Sequence, residues 1–339
     1  MKISFLVTYY NQEQYVRQSM DSILAIEKPE KWEIIVGDDG STDGTVNIVN
    51  EYVEKDPEHI RLYVMPREAD KEYIAIKRAS ANRLTILEHC SGDCFCTLDG
   101  DDFYIDTKFV LEAVDVFEKH DDVSVVLFGT RYFRDGVFEE EFLLPAGVRP
   151  YIDTELYIRN FYLHCSAGVH RLRWERNRME YIKKTGFFDD SLILMNSLNY
   201  GRMYYINRSV HGYRQTGESV SAGFSQRPIE GALCYVELCD VGKMIIIDQK
   251  SSVTERYLGK ILRLYVWKNK IRSELGESKY QLHIEAAKHL DNAISYRLLV
   301  YESLDRGEKR KMRRFVLRLF FWGICKKVRR LFSKYKQDV

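Results

Sequence analysis

Cys94-Phe95-Cys96-Thr97-Leu98-Asp99-Gly100-Asp101-Asp102 decides how this chain is read: a short apolar run ends abruptly in three carboxylates within four residues. Like charges this close repel and raise one another's pKa, so such a cluster persists because a cation occupies it or because water screens it. A solvated Asp-Gly turn leaving a strand is the structural alternative. The pattern upstream bears on the choice.

Ile3 to Val7 is an apolar, β-branched run that empties into Thr8-Tyr9-Tyr10-Asn11. A helix follows, with Tyr15, Ser19, Ser22, Ile23 and Ile26 on its packed side and Pro29 ending it. Trp32 to Val36 is the next apolar strand, and it runs into the acidic, glycine-rich loop Gly37-Asp38-Asp39-Gly40-Ser41-Thr42-Asp43-Gly44. Thr45 to Lys55 reads as helix, Ile60 to Val64 as strand and Ala75 to His89 as helix, before the strand that ends at Asp99. Strand and helix alternate, with polar loops at the carboxyl ends of strands. This is the pattern of a doubly wound, mostly parallel sheet flanked by helices, in which ligands bind at those ends. The loops at Thr8 to Asn11, Asp38 to Asp43 and Asp99 to Asp102 are thus expected to converge on one crevice. No GxGxxG follows the first strand and no GxxxxGK[ST] occurs, which argues against a dinucleotide fingerprint and a phosphate-cradling P-loop.

Seven cysteines, an odd set without a CxxC pair, read as free buried thiols in a reducing compartment. The first apolar run is too short for a signal peptide, and no later one approaches the ~18 to 20 apolar residues of a membrane span, so a cytoplasmic location is expected. Net charge is +1, but residues 306–339 hold thirteen Lys or Arg against Glu308 and Asp338, a local +11 that leaves −10 on residues 1–305. Leu317, Phe321, Ile324, Val328, Leu331 and Tyr335 form one apolar seam along that basic stretch. A cationic helix with an aromatic apolar face suits an anionic membrane surface; a partner helix is the alternative, and no nucleic-acid recognition fold accompanies it. Residues 216–305 show helical periodicity, as at Leu290, Ile294, Leu298 and Tyr301.

Thr8-Tyr9-Tyr10-Asn11, Asp38-Asp39-Gly40-Ser41-Thr42-Asp43 and Leu98-Asp99-Gly100-Asp101-Asp102, in this order and at these separations, resemble the nucleotide-sugar-binding half of the family-2 glycosyltransferases, whose fold is called GT-A. The resemblance covers roughly residues 1–215, so the expected organisation is a GT-A domain over 1–215, a helical extension over 216–305 and a basic amphipathic tail over 306–339. It implies that Thr8 and Tyr10 touch the nucleoside, Tyr10 by stacking, and that Asp39 accepts a hydrogen bond from the base. It further implies that Asp99 lies near the ribose and metal, and that Asp101 of the Asp99-Gly100-Asp101 DxD motif ligates Mn²⁺ or Mg²⁺ on the diphosphate. Lys77, Arg78 and Arg83 lie where relatives often place a basic residue near the nucleotide; a solvated helix face is the alternative. Relatives often carry proline four residues after the last acid, where this chain has Asp106.

Phe187-Phe188-Asp189-Asp190-Ser191-Leu192 opens another apolar helical run. Acids there can cap the helix, or one can act as general base if apolar neighbours raise its pKa. By resemblance to the family's Glu-Asp motif Asp190 is the base and Asp189 the cap or orienting residue. His164 beside Cys165 reads as packing, since neighbours on a strand face opposite ways. His211 and Arg214 are candidates for holding the diphosphate, with structural roles as the alternative. The implied activity is inverting, metal-dependent hexosyl transfer from a nucleoside-diphosphate sugar, a UDP-sugar by preference, to a lipid-linked glycan in surface-polysaccharide synthesis at the inner face of the membrane. A non-catalytic carbohydrate- or nucleotide-binding protein on the same fold is the alternative.

Overall fold

The computed structural model describes residues 1–68, 75–143, 150–152, 163–175, 179–180, 182–183, 188–216, 306–307 and 310. The expected helical extension and the basic tail therefore lie outside the described residues, apart from 216, 306–307 and 310. The elements below belong to a unit formed by Met1–Ala222 with Met244–Asp248.

Strands β1 (Ile3–Tyr9), β2 (Trp32–Asp38), β3 (Ile60–Val64) and β4 (Cys94–Asp99) form a parallel half-sheet in the order β3-β2-β1-β4. Helices α1 (Glu13–Leu24), α2 (Thr45–Lys55) and α3 (Ala75–Glu88) link them in sequence. Near-continuous apolar strands belong in a sheet covered on both faces, and Ile3, Phe5, Val7, Ile34, Val36, Cys94 and Cys96 are all buried. The packed face of α1 is Val16, Ser19, Met20 and Ile23, so Tyr15 lies beside the buried stripe. Cys90, Cys94, Cys96 and Cys165 are free.

The second half of the sheet departs from a simple parallel winding. β5 (Phe103–Tyr104) and α4 (Phe109–Lys119) lead to a long hairpin of β6 (Val123–Arg134) and β7 (Val137–Phe142), followed by β8 (Tyr151–Ile152). β9 (Gly168–Arg171) inserts antiparallel between β4 and β6, joining the two halves. After α5 (Asp190–Ser197), β10 (Arg202–Arg214) runs parallel to β6 and antiparallel to β5 and β8. The architecture is thus a mixed α/β sheet whose first half is parallel. Glu139 to Glu141 lie in β7. Among the described residues no helix is long and apolar enough to cross a membrane.

Register places the three polar loops level with one another. Tyr9 pairs with Asp38 and Thr8 with Asp99, so all three loops leave the sheet at the same edge. Near the opposite ends of the strands, Glu33 is buried yet charged. Its carboxylate takes the Ser4 hydroxyl at 2.6 Å, Lys2 Nζ at 2.9 Å, the Ser91 amide at 2.8 Å and the Arg61 guanidinium. Burial pushes its pKa up, but the bonds from Ser4, Lys2 and Ser91 outweigh burial and hold it at about 2. A carboxylate with a depressed folded pKa contributes stability above its unfolded pKa and loses that contribution as pH falls through the folded value. Glu33→Gln is expected to lower stability near neutral pH by about 3 kcal/mol and to flatten the decline between pH ~4.3 and ~2. Urea titrations of the two proteins at pH 7 and pH 3 measure both.

Candidate active site

The loops are built before they are functional. Asn11 takes a left-handed backbone, φ 50°. Its amide donates to Ser41 Oγ, and its side-chain oxygen accepts from the Thr42 amide, both at 2.8 Å, binding the first loop to the second. Asp38 is fully buried and accepts from the Ser41 amide at 2.7 Å and the Ser41 hydroxyl at 2.6 Å, so it shapes the turn. Gly40 supplies the φ of +74° that the turn requires. Gly100 is needed for a different reason: a Cβ there would lie 2.1 Å from the Tyr9 ring. Tyr9 therefore packs inward beneath the third loop, whereas Tyr10 is 42% exposed.

Tyr10 and Asp39, the two groups expected to receive a base, converge on one guanidinium. Arg67 lies over the Tyr10 ring, 3.8 Å from its centroid, and donates through Nε to the Asp39 carbonyl at 2.6 Å and through Nη2 to the Asp39 carboxylate. Arg78 pairs with the other carboxylate oxygen of Asp39. Arg83 pairs with Asp99 and Asp190 instead. Arg67 was not singled out by sequence; its position just beyond β3, on the strand next to the Asp38–Asp43 loop, is the signal that locates it.

Arg83 instead sits at the third loop. Its Nη2 donates to both oxygens of Asp99, at 2.6 and 2.9 Å, and lies 3.6 Å from Asp190 Oδ1. Thr8 Oγ1 is 3.4 Å from Asp99 Oδ1, so Thr8, Asp99, Arg83 and Asp190 form one chain. Asp189 is the cap of α5, accepting from the Leu192 amide at 3.0 Å. Asp190, one residue on, faces Arg83 and His164. A raised pKa was expected for it; burial does push it up, but the Arg83 guanidinium and His164 outweigh burial and hold it below the ordinary carboxylate range.

Asp101 and Asp102 divide the remaining charge. Asp102 is buried, accepting from His211 Nε2 at 3.0 Å and from the Arg214 amide at 2.7 Å. His211 is fully buried behind it, and Arg214 donates through Nε to the Asp101 carbonyl at 2.7 Å. Both residues thus brace the loop, the structural role left open for them. Asp101 has no side-chain ion pair among the described residues, and burial together with Asp102 and Asp99 pushes its pKa up to about 8. A carboxylate short of positive charge fits a hard divalent cation. Asp99, Asp102 and His164 each bring a ligand atom within 4.8 Å of the others, and so do His164, Cys165 and Asp190.

His164 and Cys165 are both buried, as the packing reading expects, but they do not face opposite ways. A 3₁₀ turn over Cys165–Ala167, rather than a strand, carries them, so both side chains reach Asp190.

Comparison with known proteins agrees with this architecture. The family model described as "Glycosyl transferase family 2" matches residues 4–179, over half of the chain. The putative glycosyltransferase EpsE of Bacillus subtilis (strain 168) is 30% identical over 250 residues, covering 73% of this chain and 85% of EpsE. The uncharacterized protein Rv1520 of Mycobacterium tuberculosis (strain H37Rv) is 27% identical over 170 residues. Those residues are 50% of this chain, which spans about half the length of that relative, 46%. Among solved structures, S. aureus TarS 1-349 in complex with UDP superposes with a TM-score of 0.59 at 17% identity, covering 86% of this chain and 81% of that one. That likeness is one of fold, GT-A, and with the three loops in register and the family match it leads to one assignment: the chain belongs to glycosyltransferase family 2.

Proposed function

We propose that this chain is an inverting, metal-dependent glycosyltransferase that moves a hexose-type sugar from a nucleoside-diphosphate sugar to an acceptor hydroxyl. The observation that carries the reading is the Arg83 bridge: one guanidinium spans Asp99 of the third loop and Asp190 at the start of α5, so donor loop and candidate base share a wall. Thr8, Tyr10 and Asp39 take the nucleoside, Asp99 the ribose side, and Arg83 faces the departing diphosphate. Asp101 and Asp99 would hold Mn²⁺ or Mg²⁺, which when bound would supply electrostatic stabilisation of the leaving group. Asp190 removes the acceptor proton as the hydroxyl oxygen attacks the anomeric carbon in line. The bond from that carbon to the diphosphate oxygen breaks with its electron pair, and a single displacement inverts the centre.

A UDP-sugar is favoured, since the similarly folded TarS is described with UDP. A lipid-linked glycan acceptor in surface-polysaccharide synthesis fits the amphipathic basic stretch 306–339, which would hold the enzyme to the inner face of the cell membrane. Ligand that binds only the folded state raises Tm by mass action, ~2.7 kcal/mol at a hundredfold excess over Kd. Thermal melts with UDP, GDP and dTDP, each with and without Mn²⁺, are therefore expected to show a rise for one nucleotide that Tyr10→Ala removes. A chain stabilised by none of the three would end this reading.

A further inference from the structure

We infer that His164 is a positioning residue that aims the Asp190 carboxylate through its Nε2–H; this rests on the reading of Asp190 as the base. A neutral imidazole has one donor and one acceptor nitrogen, and whichever partner claims one nitrogen fixes the other. His164 Nδ1 accepts the Ser166 amide at 3.2 Å. The proton is thereby placed on Nε2, which lies 3.5 Å from Asp190 Oδ2. Arg83 approaches the other oxygen, Oδ1. Each oxygen of the carboxylate thus faces its own donor, and rotation about the carboxylate axis is restrained from two sides.

The ring is held in place from behind. His164 is buried and stacks on His211 at 4.8 Å between centroids, interplanar angle 28°, with Tyr213 at 5.2 Å. His211 is fixed in turn by Asp102 Oδ2 at 3.0 Å and Thr130 Oγ1 at 3.3 Å. Two stacked imidazoles therefore face two carboxylates, Asp102 in the metal loop and Asp190 on α5, and set the spacing between them. His170 provides the contrast of a core histidine: its Nε2 bonds the Cys165 carbonyl at 2.9 Å and its ring stacks on Phe95. That bond anchors the turn that carries His164. Orientation of a reacting group within a fraction of an ångström is worth up to ~100-fold in rate, which is the contribution assigned to His164.

The experiment uses the full chain with ¹⁵N-labelled histidine, the His164 resonances being assigned by their loss in His164→Gln. The expected spectrum has His164 as the Nε2-protonated tautomer, with its Nε2 signal moved by Asp190→Asn. An Nδ1-protonated His164, or one indifferent to Asp190→Asn, overturns the inference. Turnover of UDP-glucose, UDP-GlcNAc and GDP-mannose supplies the second readout. His164→Asn, which reproduces only the Nδ1 side, should lower kcat ~10- to 100-fold with donor KM nearly unchanged. His164→Gln, whose amide reaches the Nε2 position, should recover most of it. Equal losses in the two variants, accompanied by equal falls in Tm, would mark a packing role and overturn the inference. A wild type that turns over no donor defeats the glycosyl-transfer reading instead, and the spectrum still decides the contact.

Discussion

Asp190→Asn is expected to reduce sugar transfer by about 10³-fold, within the 10²- to 10⁴-fold range of general-base catalysis, while nucleotide binding persists. The substitution keeps the size of the side chain and an oxygen toward His164, but removes the basicity and the charge beside Arg83. Because Arg83 and His164 hold the Asp190 pKa below the ordinary carboxylate range, the base is ionised throughout neutral pH, and the acid limb of kcat should fall below that range. The cost is intrinsic weakness as a base, met by a hydroxyl that grows more acidic as its oxygen bonds to carbon. Release of nucleoside diphosphate by wild type and variant measures the effect. Undiminished turnover by the variant would remove Asp190 from the mechanism. Asp189→Asn keeps a capping oxygen and serves as the control, with activity retained.

Asp101→Asn should produce two changes of opposite sign. In the metal-free protein Asp101 carries a raised pKa, about 8, which means that ionising it is unfavourable in the folded state. Such a group costs stability progressively as pH rises from the ordinary carboxylate range toward about 8. Its replacement by a neutral amide is therefore expected to raise Tm at pH 8, by ~2 to 4 °C for each kcal/mol recovered, and to do little at pH 4. With Mn²⁺ and nucleotide the order is expected to reverse, since the variant lacks the carboxylate proposed to hold the ion and gains little from the pair. Melting curves at the two pH values, with and without Mn²⁺ and nucleotide, read both signs. A variant still stabilised by Mn²⁺ and nucleotide like wild type would move the metal to the Asp99, Asp102 and His164 group.

The three loops were legible because parallel strands announce themselves as apolar runs with polar carboxyl ends, and register then brings those ends level. Within each loop the sequence was less informative. Asp38 and Asp39 are adjacent and identical in type, yet one is consumed by Ser41 and the other faces Arg67 and Arg78. Only a side chain's direction separates them, and that depends on the turn. Arg67 left no local mark, because its meaning lies in contacts to Tyr10 and Asp39 from another strand end. The opposite facing expected of His164 and Cys165 came from the alternation rule, which applies to strands and not to the 3₁₀ turn at Cys165–Ala167. The raised pKa expected of Asp190 followed from its apolar neighbours; the opposing cation, Arg83, comes from α3 and is invisible locally.

β4 lies between β1, which precedes it, and β9, which arrives some seventy residues later. As the chain emerges in order, the parallel half can assemble early, but it does so with the outer edge of β4 bare. An exposed edge of this kind invites the wrong strand until the right one is present, and closure over so long an interval is slow compared with local pairing. The segment that completes the edge also delivers His164 and Cys165, which immediately precede β9. Sealing the sheet and placing His164 beside Asp190 therefore fall to the same segment. A nascent chain halted before it would hold an open sheet edge beside an incomplete site.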